Sequence, residues 1–146
     1  DAYISILILE DRSRIKLFNN SIVKIFSDED SKKTKTEIAV FGGRFSAEIN
    51  KKKNREFIIN TPSSIASVIG SYFYLEHRPR TYLGHFHKGV ADCVFSVIRG
   101  SLRVENKTSR KLVSMNDGNT LISASTGGLK LFETTEYFLM HFKEPN

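Results

Sequence analysis

The sequence predicts an all-β fold: a twisted, solenoid-like or sandwich-like stack of short antiparallel hairpins, in a single domain over residues 1–146. Three observations lead there. Short runs alternate apolar with polar residues, and those runs are rich in Val, Ile, Phe and Tyr. Gly, Asn, Asp or Pro punctuates them at close intervals, where a positive φ or a missing amide costs least. No stretch of twelve residues holds the helical spacing of three and four behind a cap.

Taken in order, Ile15-Lys16-Leu17-Phe18 leads through Asn19-Asn20-Ser21 to Ile22-Val23-Lys24-Ile25. The charged stretch Ser27 to Lys33 lacks apolar residues and reads as an exposed loop. Ile38 to Phe41 leads through Gly42-Gly43 to Phe45–Ile49, and Phe57-Ile58-Ile59 through Thr61-Pro62-Ser63 to Ile65–Ile69 and Tyr72–Leu75. Val94–Ile98 leads through Arg99-Gly100 to Leu102-Arg103-Val104. Leu112–Met115 leads through Asn116-Asp117-Gly118 to Leu121-Ile122. Leu129–Phe132 and Tyr137–Phe142 supply two closing strands, within a C-terminal portion of residues 123–146. The apolar positions lack a fixed period, which argues against a long regular β-helix.

Composition narrows the function. With 40% hydrophobic and 26% charged residues, the chain can build an ordinary core. One cysteine, Cys93, excludes an internal disulfide, and its place at the head of an apolar strand makes it a small buried side chain. No window approaches the roughly 20 apolar residues of a membrane span. The chain starts at Asp1, which reads as a piece of a longer protein, with any membrane anchor in the parent. Net charge is +6, and its lysines and arginines cluster at 32–35, 51–55, 78–88 and 107–111, where solvated turns are expected. No RNA-recognition or zinc-finger signature accompanies that charge, so nucleic acid is not an expected partner.

The sharpest chemical motif is Gly84-His85-Phe86-His87 with Asp92 and Gly100 after it. Histidines at i and i+2 of a strand share a face and suit a divalent metal. The spacing resembles the first metal motif of the cupins, and supports an alternative reading as a metal-dependent small-molecule enzyme or binder using His85 and His87. Asp92 falls one residue early for that motif, and His141, the downstream histidine, has no motif around it. A polar hairpin tip accounts for the pair more simply, so no metal, cofactor or catalytic residue is expected. No Gly-x-Ser-x-Gly, Walker-type loop or dinucleotide fingerprint occurs.

In series, the strand pairs resemble the FecR domain. Asp11-Arg12-Ser13-Arg14-Ile15-Lys16-Leu17 and Asn20-Ser21-Ile22-Val23 match its opening blocks, and Val40-Phe41-Gly42-Gly43-Arg44-Phe45 the next. The most specific block is Phe57-Ile58-Ile59-Asn60-Thr61-Pro62, running on to Val68-Ile69-Gly70-Ser71-Tyr72-Phe73. Phe95–Val104, around Gly100, and Met115-Asn116-Asp117-Gly118-Asn119 close the match, which covers residues 11–122. Arg12 and Asn20 stand where the family has glycine, and Ser71 where it has threonine. His77–Ala91 enlarges a hairpin that is normally shorter. Asn tolerates positive φ well, whereas Arg12 implies a different first turn.

The resemblance implies a non-enzymatic, periplasmic recognition and signalling domain. In iron regulators of this family it receives a signal from the signalling domain of an outer-membrane transporter and relays it towards a sigma factor. The expected partner is therefore another protein. Length and composition, rather than the resemblance, point to the segment Arg78–Lys88 as a recognition loop, with Arg78, Arg80, Tyr82, His85, Phe86, His87 and Lys88 as contact residues.

Overall fold

The computed structural model describes residues 3–8, 12–30, 33–50, 55–82, 85–136 and 140. Ten strands form one sheet: β1 (Ile4–Ile8), β2 (Ser13–Leu17), β3 (Ile22–Asp30), β4 (Lys33–Ile49), β5 (Arg55–Asn60), β6 (Ser64–Tyr82), β7 (His85–Asn106), β8 (Leu112–Met115), β9 (Asn119–Ala124) and β10 (Leu129–Glu133). The all-β prediction holds. The prediction of uniformly short hairpins does not, because β4, β6 and β7 run 17, 19 and 22 residues.

Each long strand changes partners partway along. The first part of β4 lies between β3 and β5, and its second part between β2 and β6. The first part of β6 lies between β5 and β7, and its middle between β4 and β7. β7 meets β9 at Asp92–Ser96 and β8 at Leu102–Glu105. The sheet thus has two sectors, joined through three continuous strands. Buried side chains from both sectors form one core: Ile38, Phe57, Ile59, Leu102 and Met115 from one, and Ile15, Phe45, Phe73, Phe95 and Leu121 from the other. This is the sandwich-like arrangement.

It is solenoid-like as well. β4 and β5 pair in parallel, Thr34 beside Arg55, and the second part of β4 is the crossover between them. A parallel pair needs such a crossover, which is usually a helix; here it is the opposite sector of the sheet.

The bends explain the glycines. Gly42-Gly43 and Arg99-Gly100 read as hairpin turns from sequence, yet both lie inside continuous strands. Gly43 (φ 86°), Gly70 (φ 46°) and Gly100 (φ 93°) sit where β4, β6 and β7 pass between sectors. A side chain at Gly100 would collide with the Gly70 carbonyl and lie 2.7 Å from the Ser71 Cα, so both backbone and space demand glycine there. Two further predicted strand pairs are corrected in the same way. β2 and β3 follow one another but pair with different parts of β4, and β8 and β9 with different parts of β7.

Other expectations need correction. The loop predicted at Ser27–Lys33 is strand on both sides, Asp28 opposite Lys35 and Asp30 opposite Lys33. Facing opposite charges favour the ladder, and period-2 hydrophobicity cannot report it. The basic clusters are not confined to turns, since Lys35, Arg55 and Arg78 lie on strands. Arg12 does not change the first turn: its φ is 59°, the left-handed backbone a glycine would take, and Asn20 matches it at 61°. The strand predicted at Tyr137–Phe142 lies outside the described residues except for Met140, which is helical.

Four phenylalanines, Phe45, Phe57, Phe73 and Phe95, are fully buried, each stabilising by about 2–3 kcal/mol. Phe45 and Phe73 meet edge to face at 6.2 Å. Cys93 is buried as predicted, and burial pushes its thiol well above the usual range while a hydrogen bond from Thr61 pulls the other way.

Candidate interaction surface

The segment predicted to be a recognition loop is strand on both sides. β6 and β7 carry their ladder outward through Arg78–Asp92, Pro79–Ala91, Thr81–Phe86 and Tyr82–His85, with a bulge between Pro79 and Thr81. Polar, basic composition hides the pairing from a reading that looks for apolar alternation. β4 stops alongside at Gly43–His77, and β9 at Asp92–Ala124. The last tie to the body is at Ala91, whose N–H donates to Ser125 Oγ and whose carbonyl accepts from Ser125 N–H, both at 2.9 Å. Beyond it, among the described residues, the two strands pair only with each other. The ribbon is a two-stranded arm.

All seven candidate contact residues fall on this arm or at its root. Arg78, Arg80 and Tyr82 are on β6, and His85, Phe86, His87 and Lys88 on β7. Arg78 Nε donates to Glu76 Oε1 at 2.9 Å, which fixes the root. Side chains from 79 to 90 lie outside the described detail.

The cupin-like histidine pair and its carboxylate lie along the same strand, β7. His87 and Asp92 are five residues apart on one extended strand, about 16 Å. His141 and the side chains of His85 and His87 fall outside the described detail; among the described residues no cluster of His, Cys, Asp or Glu could hold a metal.

Sequence reasoning missed the surface leading to the arm. Tyr72, Tyr74, Glu76 and Arg78 alternate with buried Phe73 and Leu75, and so share the outer face. The tyrosine rings lie 5.8 Å apart, and an Arg99–Glu48 ion pair of 3.1 Å lies across from Tyr72. The alternation Tyr-Phe-Tyr-Leu-Glu-His-Arg was the available signal. His77, at the junction, has a buried Nδ1 without a hydrogen-bond partner, and burial lowers its pKa.

The other end of the same two strands is closed. Ser64 pairs with Asn106 in the ladder, and Ser64 Oγ donates to Ser123 Oγ at 2.7 Å. Asn106 Nδ2 donates to Ser123 Oγ (2.9 Å) and to the Ala124 carbonyl (2.8 Å). Its Oδ1 accepts from the Thr108 and Ser109 amides, both at 3.0 Å. Thr61 Oγ1 accepts from Ser64 N–H at 3.0 Å, closing the turn around Pro62. All of Thr61, Ser64, Asn106 and Ser123 are buried, so the Thr61-Pro62 block is a structural clasp between the sectors. Beside it lies a cleft of about 280 Å³ lined by Ala39, Phe41, Asn60, Pro62 and Lys107. Lys107 Nζ donates to Asn60 Oδ1, and burial lowers its pKa against the pull of Glu37.

A family model described as FecR protein matches residues 3–103. It begins before the opening block read from sequence and ends before Met115–Asn119. Two crystal structures of a candidate anti-sigma factor from Parabacteroides distasonis ATCC 8503 superpose on this chain with a TM-score of 0.69 each. They share 13% sequence identity with it, over 95% of this chain and 59% of theirs, so the likeness is one of fold. The chain spans about three fifths of the length of those structures. No curated protein matches the sequence.

Proposed function

The chain belongs to the FecR family, and from that premise we propose that it is a non-enzymatic recognition module of a signalling protein, working outside the cytoplasm. Its partner is another protein, by family expectation the signalling domain of an outer-membrane transporter, and its output is regulation of a sigma factor. The fold shared with a candidate anti-sigma factor supports the regulatory part of this reading. The observation that carries the recognition part is the arm. Two strands leave the body together past Ala91, and Arg80, Tyr82, His85, Phe86, His87 and Lys88 lie along them in sequence, with no third strand beside them among the described residues.

Isothermal titration tests it, with the isolated signalling domain of the cognate transporter as titrant. The intact chain is expected to bind. A chain in which a short Gly-Ser turn joins Pro79 to Ala91 is expected to lose most of that affinity. Equal binding by both removes the arm from the interface, and no binding by the intact chain removes the transporter as partner.

A further inference from the structure

A second feature stands apart from the arm: β3 is a bare edge. Among the described residues it pairs with β4 alone, over nine residues from Ile22 to Asp30, and its one register shift falls at its very start, between Ile22 and Val23. Natural edges are usually blunted by charged side chains, proline, a bulge or a short length. β3 carries charge at Lys24, Asp28, Glu29 and Asp30 but has no proline and no bulge in its central run, and Ile22, Ile25 and Phe26 are exposed on it. Phe26 lies on the outer face between Lys24 and Asp28, all three exposed, and Lys24 Nζ sits 5.9 Å above the ring of exposed Phe41.

Reversed on itself, this edge brings one pair of opposite charges, Lys24 and Asp28, into register. An antiparallel pairing of β3 with a second β3 that uses all nine residues has one register, with Phe26 facing Phe26 of the other copy. That register sets Lys24 against Asp28 of the other copy, and by symmetry does so twice. Ile25 then faces Ser27, Val23 faces Glu29, and Ile22 faces Asp30, so no like charges stand opposite. Facing residues of an antiparallel pair share a face, so both inner surfaces stay on the same side and the sheet runs unbroken across the two-fold axis.

The other free edges lack this property. β1 (Ile4–Ile8) and β8 (Leu112–Met115), which among the described residues pairs with β7 alone, carry no charge with which to set a register. β10 (Leu129–Glu133), reversed on itself, sets Lys130 against Phe132 and so forms no opposite-charge pair.

We propose that β3 is a homodimer seam, occupied by β3 of a second copy of this chain and held in register by two reciprocal Lys24–Asp28 pairs around a central pair of Phe26 rings.

Sedimentation velocity of the 146-residue chain, from about 1 μM to about 1 mM, tests this. A reversible monomer–dimer equilibrium is expected. Lys24→Asp and Asp28→Lys are each expected to raise the dimer dissociation constant about tenfold, because each turns two attractions into two repulsions. The double reversal, which rebuilds both pairs with exchanged signs, is expected to return to within about threefold of the original. Both positions are exposed; Asp28→Lys also stands opposite Lys35 of its own chain, so far-UV circular dichroism and the Asp28→Lys monomer's own stability are measured beside each dissociation constant. A chain that stays monomeric throughout overturns the proposal and leaves the edge to a different protein. So does a dimer indifferent to either single reversal, or one that the double reversal fails to restore.

Discussion

β6 and β7 are a single ribbon with two unlike ends. At Ser64–Asn106 the ribbon is clamped: a buried carboxamide and buried hydroxyls bind it to β9 and to the turn at Pro62. At Tyr82–His85, among the described residues, it touches no third strand. The difference shows how one pair of strands can divide its labour. Polar groups placed where water cannot reach must be satisfied internally, and so they lock geometry. Beyond the last neighbouring strand, among the described residues, the ribbon's backbone pairs only with itself.

Breaking the clamped end has the largest expected effect. Asn106→Ala removes two donated and two accepted hydrogen bonds from a buried site, at a cost of about 4 kcal/mol, readable as a lower urea midpoint. Gly100→Ala, at the bend between the two ends, is expected to cost about 3 kcal/mol, because the new methyl meets backbone in a left-handed conformation. The free end provides the contrast. Joining Pro79 to Ala91 by a short turn should change stability by less than about 1 kcal/mol, since the removed residues pair only with each other among those described. A loss comparable to that of Asn106→Ala would erase the distinction between the ends.

The junction sharpens the comparison. Burial lowers the pKa of His77, so the unfolded chain binds the proton more readily than the folded one. Its contribution is fully present above the unfolded value of about 6.5 and is lost as pH falls towards the lower folded value. The intact protein should therefore lose slightly more stability than His77→Gln between about pH 7.5 and pH 5. Chemical denaturation at several pH values measures it. The smallest effect lies far from both ends: Arg12→Gly relieves a left-handed backbone and should stabilise by about 0.5–1 kcal/mol, seen as a higher Tm.

The fold class was legible because alternation is local. Which strand pairs with which was not, because Gly43 and Gly100 have the positive φ of a turn and only distant partners reveal that the strand continues past them. The Thr61-Pro62 block could be picked out from sequence, but its role depends on Asn106 and Ser123, polar residues in otherwise apolar runs that no spacing links. The arm was located by its composition and mistaken for a loop, since Thr81–Phe86 and Tyr82–His85 pair across a segment with little apolar alternation.

The parallel step from β4 to β5 has a bearing on how such a protein grows. Between β4 and β5 the chain advances one strand by winding once around its oily interior, like thread on a spool. Adding or deleting a whole winding leaves every remaining strand with an inward and an outward side, whereas half a winding would strand it on the wrong side of the spool. Relatives of different length should accordingly differ by complete turns of the thread.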